Sequence, residues 1–186
     1  MDRVIFIDRD GVINFHPGDY KYVTRREDFK FLPRAKEALA MLYKSGYKIF
    51  IVSNQAGVSK GLYSEKDLEA ITDVLLEGVN SAGGRIEDVF YCTHTDAENC
   101  SCRKPKTGLI EKALARVKTD IARTFFIGDS IRDVKTGRAA GCKTILVLSG
   151  KESLENKDRW EEQPDYVVGD LFEAAQLVMH KDRESK

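Results

Sequence analysis

The chain predicts an α/β fold, a doubly wound, Rossmann-like parallel sheet forming one domain over residues 1–180. Three observations carry that expectation. Apolar, β-branched runs alternate with segments of helical periodicity along the whole sequence, the pattern of parallel strands joined by right-handed crossovers. Several of those runs stop abruptly in carboxylates or hydroxyls, as strands do when their C-terminal ends line a site. The length, 186 residues with 42% apolar and 32% charged, suffices for one packed α/β core and is short for two.

The elements follow in order. Val4 to Gly11 reads as a central strand: an apolar run suits a strand covered by helices on both faces, and Gly11 lets the chain turn away. Residues 12–31 are irregular, with turn chemistry at Pro17-Gly18-Asp19, and read as a flap over Asp8 and Asp10. Pro33 opens a helix in which Ala35, Ala38, Leu39 and Leu42 recur at helical spacing until Gly46. Lys48 to Asn54 is a second buried strand, and Ser64 caps a helix running to Ser81. Ile86 to Tyr91 is a third strand leading into a cysteine-rich loop, followed by a helix from Thr107 to Val117. Thr124 to Asp129 is a fourth strand, a helix then runs to Ala140, and Thr144 to Leu148 is a fifth. Residues 150–163 are charged and lack a period, so they read as a surface loop; Asp165 to Val168 adds an edge strand before a helix from Leu171 to Met179. Residues 181–186 are expected to fray. Neither the segment after the first strand nor that between Asn54 and Ser64 has room for a separate cap domain, so an open site is expected.

Composition narrows the partners. Lys plus Arg and Asp plus Glu are 30 each, which leaves no global field to hold a polyanion, and no nucleic-acid partner is expected. No apolar run reaches the length of a membrane span and no leader precedes the first strand, so a cytoplasmic monomer without a membrane partner is expected. Three of the four cysteines crowd between positions 92 and 102, unlike the spread framework of a secreted disulfide protein.

Groups suited to phosphate chemistry end three of the strands: Asp8 with Asp10, Ser53 with Asn54, and Asp129 with Asp133. Asp8 and Asp10 are two apart, so in an extended chain their side chains lean to one side and can share a cation or a phosphoryl group. A carboxylate nucleophile accepts a phosphoryl group as an aspartyl-phosphate, while a second carboxylate serves the leaving oxygen and then water. This casts Asp8 as nucleophile and Asp10 as acid/base, with Asp129, and more weakly Asp133, completing a Mg²⁺ site. The Ser53 hydroxyl and nearby amides would hold the transferring oxygens, and Lys104 would neutralise their charge. Each signal alone has a bland alternative, a cap or turn for Ser53, Asn54 and Asp129 and a solvated charge for Lys104; the case rests on their recurrence at strand ends.

Cys92, His94, Cys100 and Cys102 lie within eleven positions and make the full tetrahedral set of a closed structural Zn²⁺ site, a disulfide being the alternative. Zinc in this loop would fix Arg103 and Lys104, which follow it directly. Cys142 reads as a small core residue.

Asp8-Arg-Asp-Gly-Val-Ile-Asn14, Ser53-Asn-Gln-Ala-Gly57, Cys102-Arg-Lys-Pro105 and Gly128-Asp129-Ser-x-x-Asp133 resemble the four motifs of the haloacid dehalogenase superfamily of phosphatases, in the branch acting on heptose bisphosphates and histidinol phosphate. The resemblance implies a haloacid dehalogenase-type fold with a zinc loop. It also implies Mg²⁺ on Asp8, the Asp10 carbonyl and Asp129, phosphoryl contacts from Ser53 and Lys104, and a substrate contact from Arg103. Removal of the 7-phosphate of a heptose 1,7-bisphosphate is the expected reaction. Histidinol phosphate, a nucleic-acid 3′-phosphate, or a non-catalytic zinc-stabilised binding role stay open as alternatives. Further sugar contacts are expected from His16 and Asp19 in the flap and from Asn54, Gln55 and Ser130; the last stands where the family often has Lys.

Overall fold

The computed structural model describes residues 1–18 and 21–184. Six strands form one sheet: β1 (Arg3–Ile7), β2 (Tyr47–Asn54), β3 (Asp88–Cys92), β4 (Phe125–Gly128), β5 (Lys143–Val147) and β6 (Tyr166–Val168). Their order is β3-β2-β1-β4-β5-β6, and every neighbouring pair is parallel. Among the described residues four helices connect them, α1 (Ala35–Lys44), α2 (Glu65–Ser81), α3 (Gly108–Leu114) and α4 (Ile131–Ala140), and α5 (Leu171–Glu184) follows β6.

The period-two geometry of β1 explains the two layers. Ile5 and Ile7 join the core that α1, α2 and α5 complete, whereas Val4 and Phe6 pack on the other face with Leu109, Ile110 and Ala113 of α3. A strand buried on both faces must be apolar at every position, which is why β1 reads as a continuous run. No cap domain interrupts the sheet's connections among the described residues.

Three expectations need correction. The helix expected to end at Met179 runs to Glu184, where Asp182 pairs with Arg3 (3.0 Å) and Lys181 with Glu184 (2.8 Å), while residues 185 and 186 of the expected tail lie outside the described residues. Residues 12–31 are not all flap, because Val12 and Ile13 are fully buried, and the Leu32 amide to Ile13 and the Phe15 amide to Lys30 close the base of the loop. The loop over 150–163 is not merely surface, since a 3₁₀ turn over Leu154–Arg159 delivers Trp160 onto Val134 and Leu146.

Candidate active site

β1 and β4 end side by side, and the chain leaves β1 for β2 on one side and β4 for β5 on the other, which opens a crevice at the strand C-termini. A cavity of about 930 Å³ lies there, walled by Asp8, Asp10, Ser53, Asn54, Lys104 and Asp129. Its rim carries His16, Gly18 and Tyr22 of the flap, Arg103 of the cysteine-rich loop, and Trp160.

Asp8 follows β1 directly, and its amide still bonds the Ile127 carbonyl of β4 at 2.9 Å, so the sheet itself fixes the residue. Lys104 Nζ lies 3.0 Å from Asp8 Oδ1 and 2.6 Å from Asp133 Oδ1, with all three side chains buried or nearly so. Asp8, Asp129 and Asp133 bring carboxylate oxygens within 4.8 Å of one another, so one ammonium faces three acids. Burial pushes Asp8 up to about 6, with Lys104 opposing the rise and Asp133 adding to it. Burial, then the Asp133 and Asp8 charges, pushes Asp129 well above the ordinary carboxylate range. Burial thus disfavours the charged forms of Asp8 and Asp129, and hard oxygen donors of this kind suit Mg²⁺.

Asp133 has the least room for an ion. Its Oδ1 takes Lys104, while Oδ2 accepts the Ser130 hydroxyl (2.6 Å) and amide (3.2 Å) in the capping box of α4. It therefore anchors Lys104, and Ser130, although on the cavity wall, has its hydroxyl engaged in the cap. Asp129 fits because Gly11 and Gly150 have no side chain: a Cβ on either would collide with its carboxylate, and Gly11 also needs its φ of +80° to make the turn.

Asp10 shares the cavity with Asp8 but lies beyond the end of β1, in a turn where the Ile13 and Asn14 amides both return to the Arg9 carbonyl. Its carboxylate is not in the three-acid cluster. Arg9, Asn14 and Gln55 grip it at 2.8–3.2 Å, and against the effect of burial these donors, Arg9 first, hold it below the ordinary range.

The remaining expected residues divide. Ser53 is buried on the wall, its Oγ accepting Gln55 Nε2 at 3.2 Å. Asn54 clamps the main chain of Lys104 from both sides, Nδ2 to its carbonyl (3.2 Å) and Oδ1 from its amide (3.1 Å). Gln55 is fully buried and is not on the cavity wall. His16 Nδ1 accepts the Gly18 amide at 3.0 Å and so shapes the flap tip, while Asp19 lies outside the described residues.

A HAD-hydrolase-like family model matches residues 101–174. A Neisseria meningitidis protein named D-glycero-beta-D-manno-heptose-1,7-bisphosphate 7-phosphatase is 33% identical over 182 residues, 97% of this chain and 96% of that protein. The chain belongs to the haloacid dehalogenase-like phosphatases. A Chlorobaculum tepidum member, named D-glycero-D-manno-heptose-1,7-bisphosphate 7-phosphatase, is 34% identical over 92% of both chains. Among solved structures, a D,D-heptose 1,7-bisphosphate phosphatase of B. bronchiseptica complexed with magnesium and phosphate superposes with a TM-score of 0.90 at 29% identity, covering 96% of this chain and 99% of that one.

In this haloacid dehalogenase-like chain the end of β3 and the loop after it gather Cys92, His94, Cys100 and Cys102. The distances from Cys92 Sγ to His94 Nδ1, Cys100 Sγ and Cys102 Sγ are 3.7, 3.6 and 3.3 Å; His94 Nδ1 and Cys100 Sγ lie 3.3 and 3.4 Å from Cys102 Sγ. These are close to the edges of a tetrahedron with ~2.3 Å metal–sulfur bonds, and far beyond a disulfide's ~2 Å. All four cysteines are free, and Cys142 is buried away from the cluster. The same loop presents Arg103, whose Nε bonds Asp96 Oδ1 at 2.6 Å and whose Nη1 bonds the His94 carbonyl at 3.2 Å.

Sequence reasoning missed the Lys151 amide, which donates to Asp129 Oδ2 at 2.9 Å, and the Trp160 wall. The lone tryptophan of the chain inside a charged stretch was the available signal, since so large an apolar group is seldom left in water.

Proposed function

We propose that the protein is a Mg²⁺-dependent phosphatase that removes the 7-phosphate of a D-glycero-D-manno-heptose 1,7-bisphosphate through an aspartyl-phosphate on Asp8. The observation that carries the reading is the buried Asp8–Lys104–Asp129 grouping at the switch point of the sheet. In that reading Asp8 and Asp129, with the Asp10 main chain, hold Mg²⁺, which supplies charge neutralisation for the phosphoryl oxygens. Asp8 attacks phosphorus, and Lys104 and Ser53 steady the oxygens that gain charge. Asp10, a carboxylate in the free protein, is protonated against the incoming phosphate dianion, gives that proton to the departing sugar oxygen and later takes one from the water that cleaves the aspartyl-phosphate. The four-ligand loop holds structural Zn²⁺, whose chemistry is to cross-link Cys92, His94, Cys100 and Cys102 and so to set the Arg103–Lys104 step.

Substrate choice rests on the second phosphate. Arg103 can grip a distal anion in bidentate fashion in exchange for Asp96, an exposed partner that costs little to displace. Lys60 and Arg132, on the same cavity wall, offer the cation that Ser130 does not. With no cap domain among the described residues there is room for a sugar, and the near-whole-length likeness to named heptose-bisphosphate phosphatases favours this substrate, the β anomer of the Neisseria name first. Measurement of kcat/KM on both anomers, fructose 1,6-bisphosphate, histidinol phosphate and a 3′-phosphorylated oligonucleotide tests it. A lead of about tenfold or more for either of the last two, ~1.4 kcal/mol of transition-state preference, would remove the heptose assignment and leave the phosphatase.

A further inference from the structure

Arg9 stands between the two aspartates in sequence, yet it is fully buried and absent from the cavity wall. Its Nε and Nη2 bind Asp10 Oδ1 at 3.2 and 3.0 Å, and Nη2 also reaches Asp10 Oδ2 at 3.0 Å and Gln55 Oε1 at 3.1 Å. Gln55 is equally buried, and its Nε2 donates to Asp10 Oδ2 (2.8 Å) and Ser53 Oγ (3.2 Å). The Tyr63 hydroxyl donates to Gln55 Oε1 at 2.7 Å, which leaves that amide one orientation. Tyr63 in turn packs against Tyr22 of the flap, ring centroids 6.2 Å apart, in a space that a side chain on Gly57 would fill.

A buried ion pair adds little net stability over an apolar replacement, so stability alone does not account for this arrangement. What the arrangement does achieve is to fix both oxygens of one carboxylate through donors that are themselves fixed. We infer that Arg9, Gln55 and Tyr63 are positioning residues that set the Asp10 carboxyl group for proton transfer to the leaving sugar oxygen. The inference rests on the phosphatase reading. In the first step the Asp8 oxygen–phosphorus bond forms as the phosphorus–sugar oxygen bond breaks, and a proton that Asp10 takes up as the phosphate dianion enters beside it passes to that sugar oxygen. In the second, water gives its proton to Asp10 as its oxygen bonds phosphorus, and the phosphorus–Asp8 bond breaks to release phosphate. Misplacement of Asp10 therefore penalises an alkoxide leaving group, which needs the proton, and spares 2,4-dinitrophenolate, which leaves without one.

The test compares kcat/KM, which ends at phospho-enzyme formation, for the heptose bisphosphate or the best alkyl ester of the panel and for 2,4-dinitrophenyl phosphate. Arg9→Met should lower the alkyl-ester value by about tenfold or more and Tyr63→Phe by about threefold, while the dinitrophenyl value stays within about twofold in both. Tyr63→Phe keeps the ring on Tyr22 and removes one hydrogen bond, so it decides the matter if Arg9→Met does not fold. Equal losses on both esters, or no loss on either in folded Tyr63→Phe, would overturn the positioning role while the phosphatase stands. A wild-type protein inactive on every ester with Mg²⁺ would overturn both.

Discussion

The acid cluster at the ends of β1 and β4 and the thiol cluster after β3 both assemble ligand atoms that need a cation, but by opposite means. The first draws on residues from 8 to 133, is buried, and carries its own partial counter-charge in Lys104. The second comes from eleven consecutive positions, is part-exposed, and has no ammonium or guanidinium bonded to its sulfurs among the described residues. A sheet can hold crowded carboxylates in place without metal, because strand pairing and Lys104 meet the cost; a loop whose regular structure is a single 3₁₀ turn, Asp96–Glu98, relies far more on the metal. Loss of Mg²⁺ should therefore cost catalysis, and loss of Zn²⁺ should cost folding first.

The sharpest way to break that contrast is Asp8→Asn. An amide can neither attack phosphorus nor balance the ion, so activity should fall by ~10²-fold or more. Stability should hold or rise, because a buried acid pushed up to about 6 is removed. Steady-state assays with urea melts check both halves. A protein that kept about a tenth of its rate would sink the covalent mechanism.

Lys104→Met comes next and should damage both properties. It leaves Asp8 and Asp133 without their shared partner, for which ~3–5 kcal/mol of stability is typical when one member of a buried pair is removed. Urea denaturation with excess Mg²⁺ should recover part of the loss.

Cys100→Ser should release zinc, lower the thermal midpoint and reduce activity less than Asp8→Asn, since it disorders the Arg103–Lys104 step indirectly. Metal analysis of protein purified without chelator decides whether one zinc per chain is present. A metal-free protein with unchanged melting would erase the difference between the two clusters.

Titration sharpens the acid side. Asp8 ionises near 3.8 when unfolded and at about 6 when folded, so between those values the folded state holds the extra proton and metal-free stability falls as pH rises. Mg²⁺ must displace that proton together with any held by Asp129, so its affinity should drop by at least about tenfold per pH unit below 6. Calorimetric titration across pH 5 to 7 would show it, and a flat profile would place the ion elsewhere.

The smallest effect is expected at Ser130→Ala. With its hydroxyl spent on Asp133, the change should cost ~1 kcal/mol of stability as a lost helix cap and move KM by no more than about twofold. A larger change in KM would return Ser130 to the substrate.

The thiol cluster was legible in full because its ligands are neighbours in the chain, and local spacing is what a sequence displays. The strands were legible for a related reason: burial on both faces demands continuous apolar runs such as Val4 to Ile7 and Ile49 to Val52. Asp8, Ser53 and Asp129 could be ranked together because each ends such a run, and parallel strands bring their ends to one side. What the sequence could not decide was the direction of side chains where regular geometry stops. Asp10 obeys a turn rather than a strand, Gln55 faces inward to Arg9, and Asp133 holds Lys104 instead of solvent. Those outcomes depend on groups 29 to 46 positions apart competing for the same hydrogen bonds in a buried space, and only the packed tertiary structure resolves that competition.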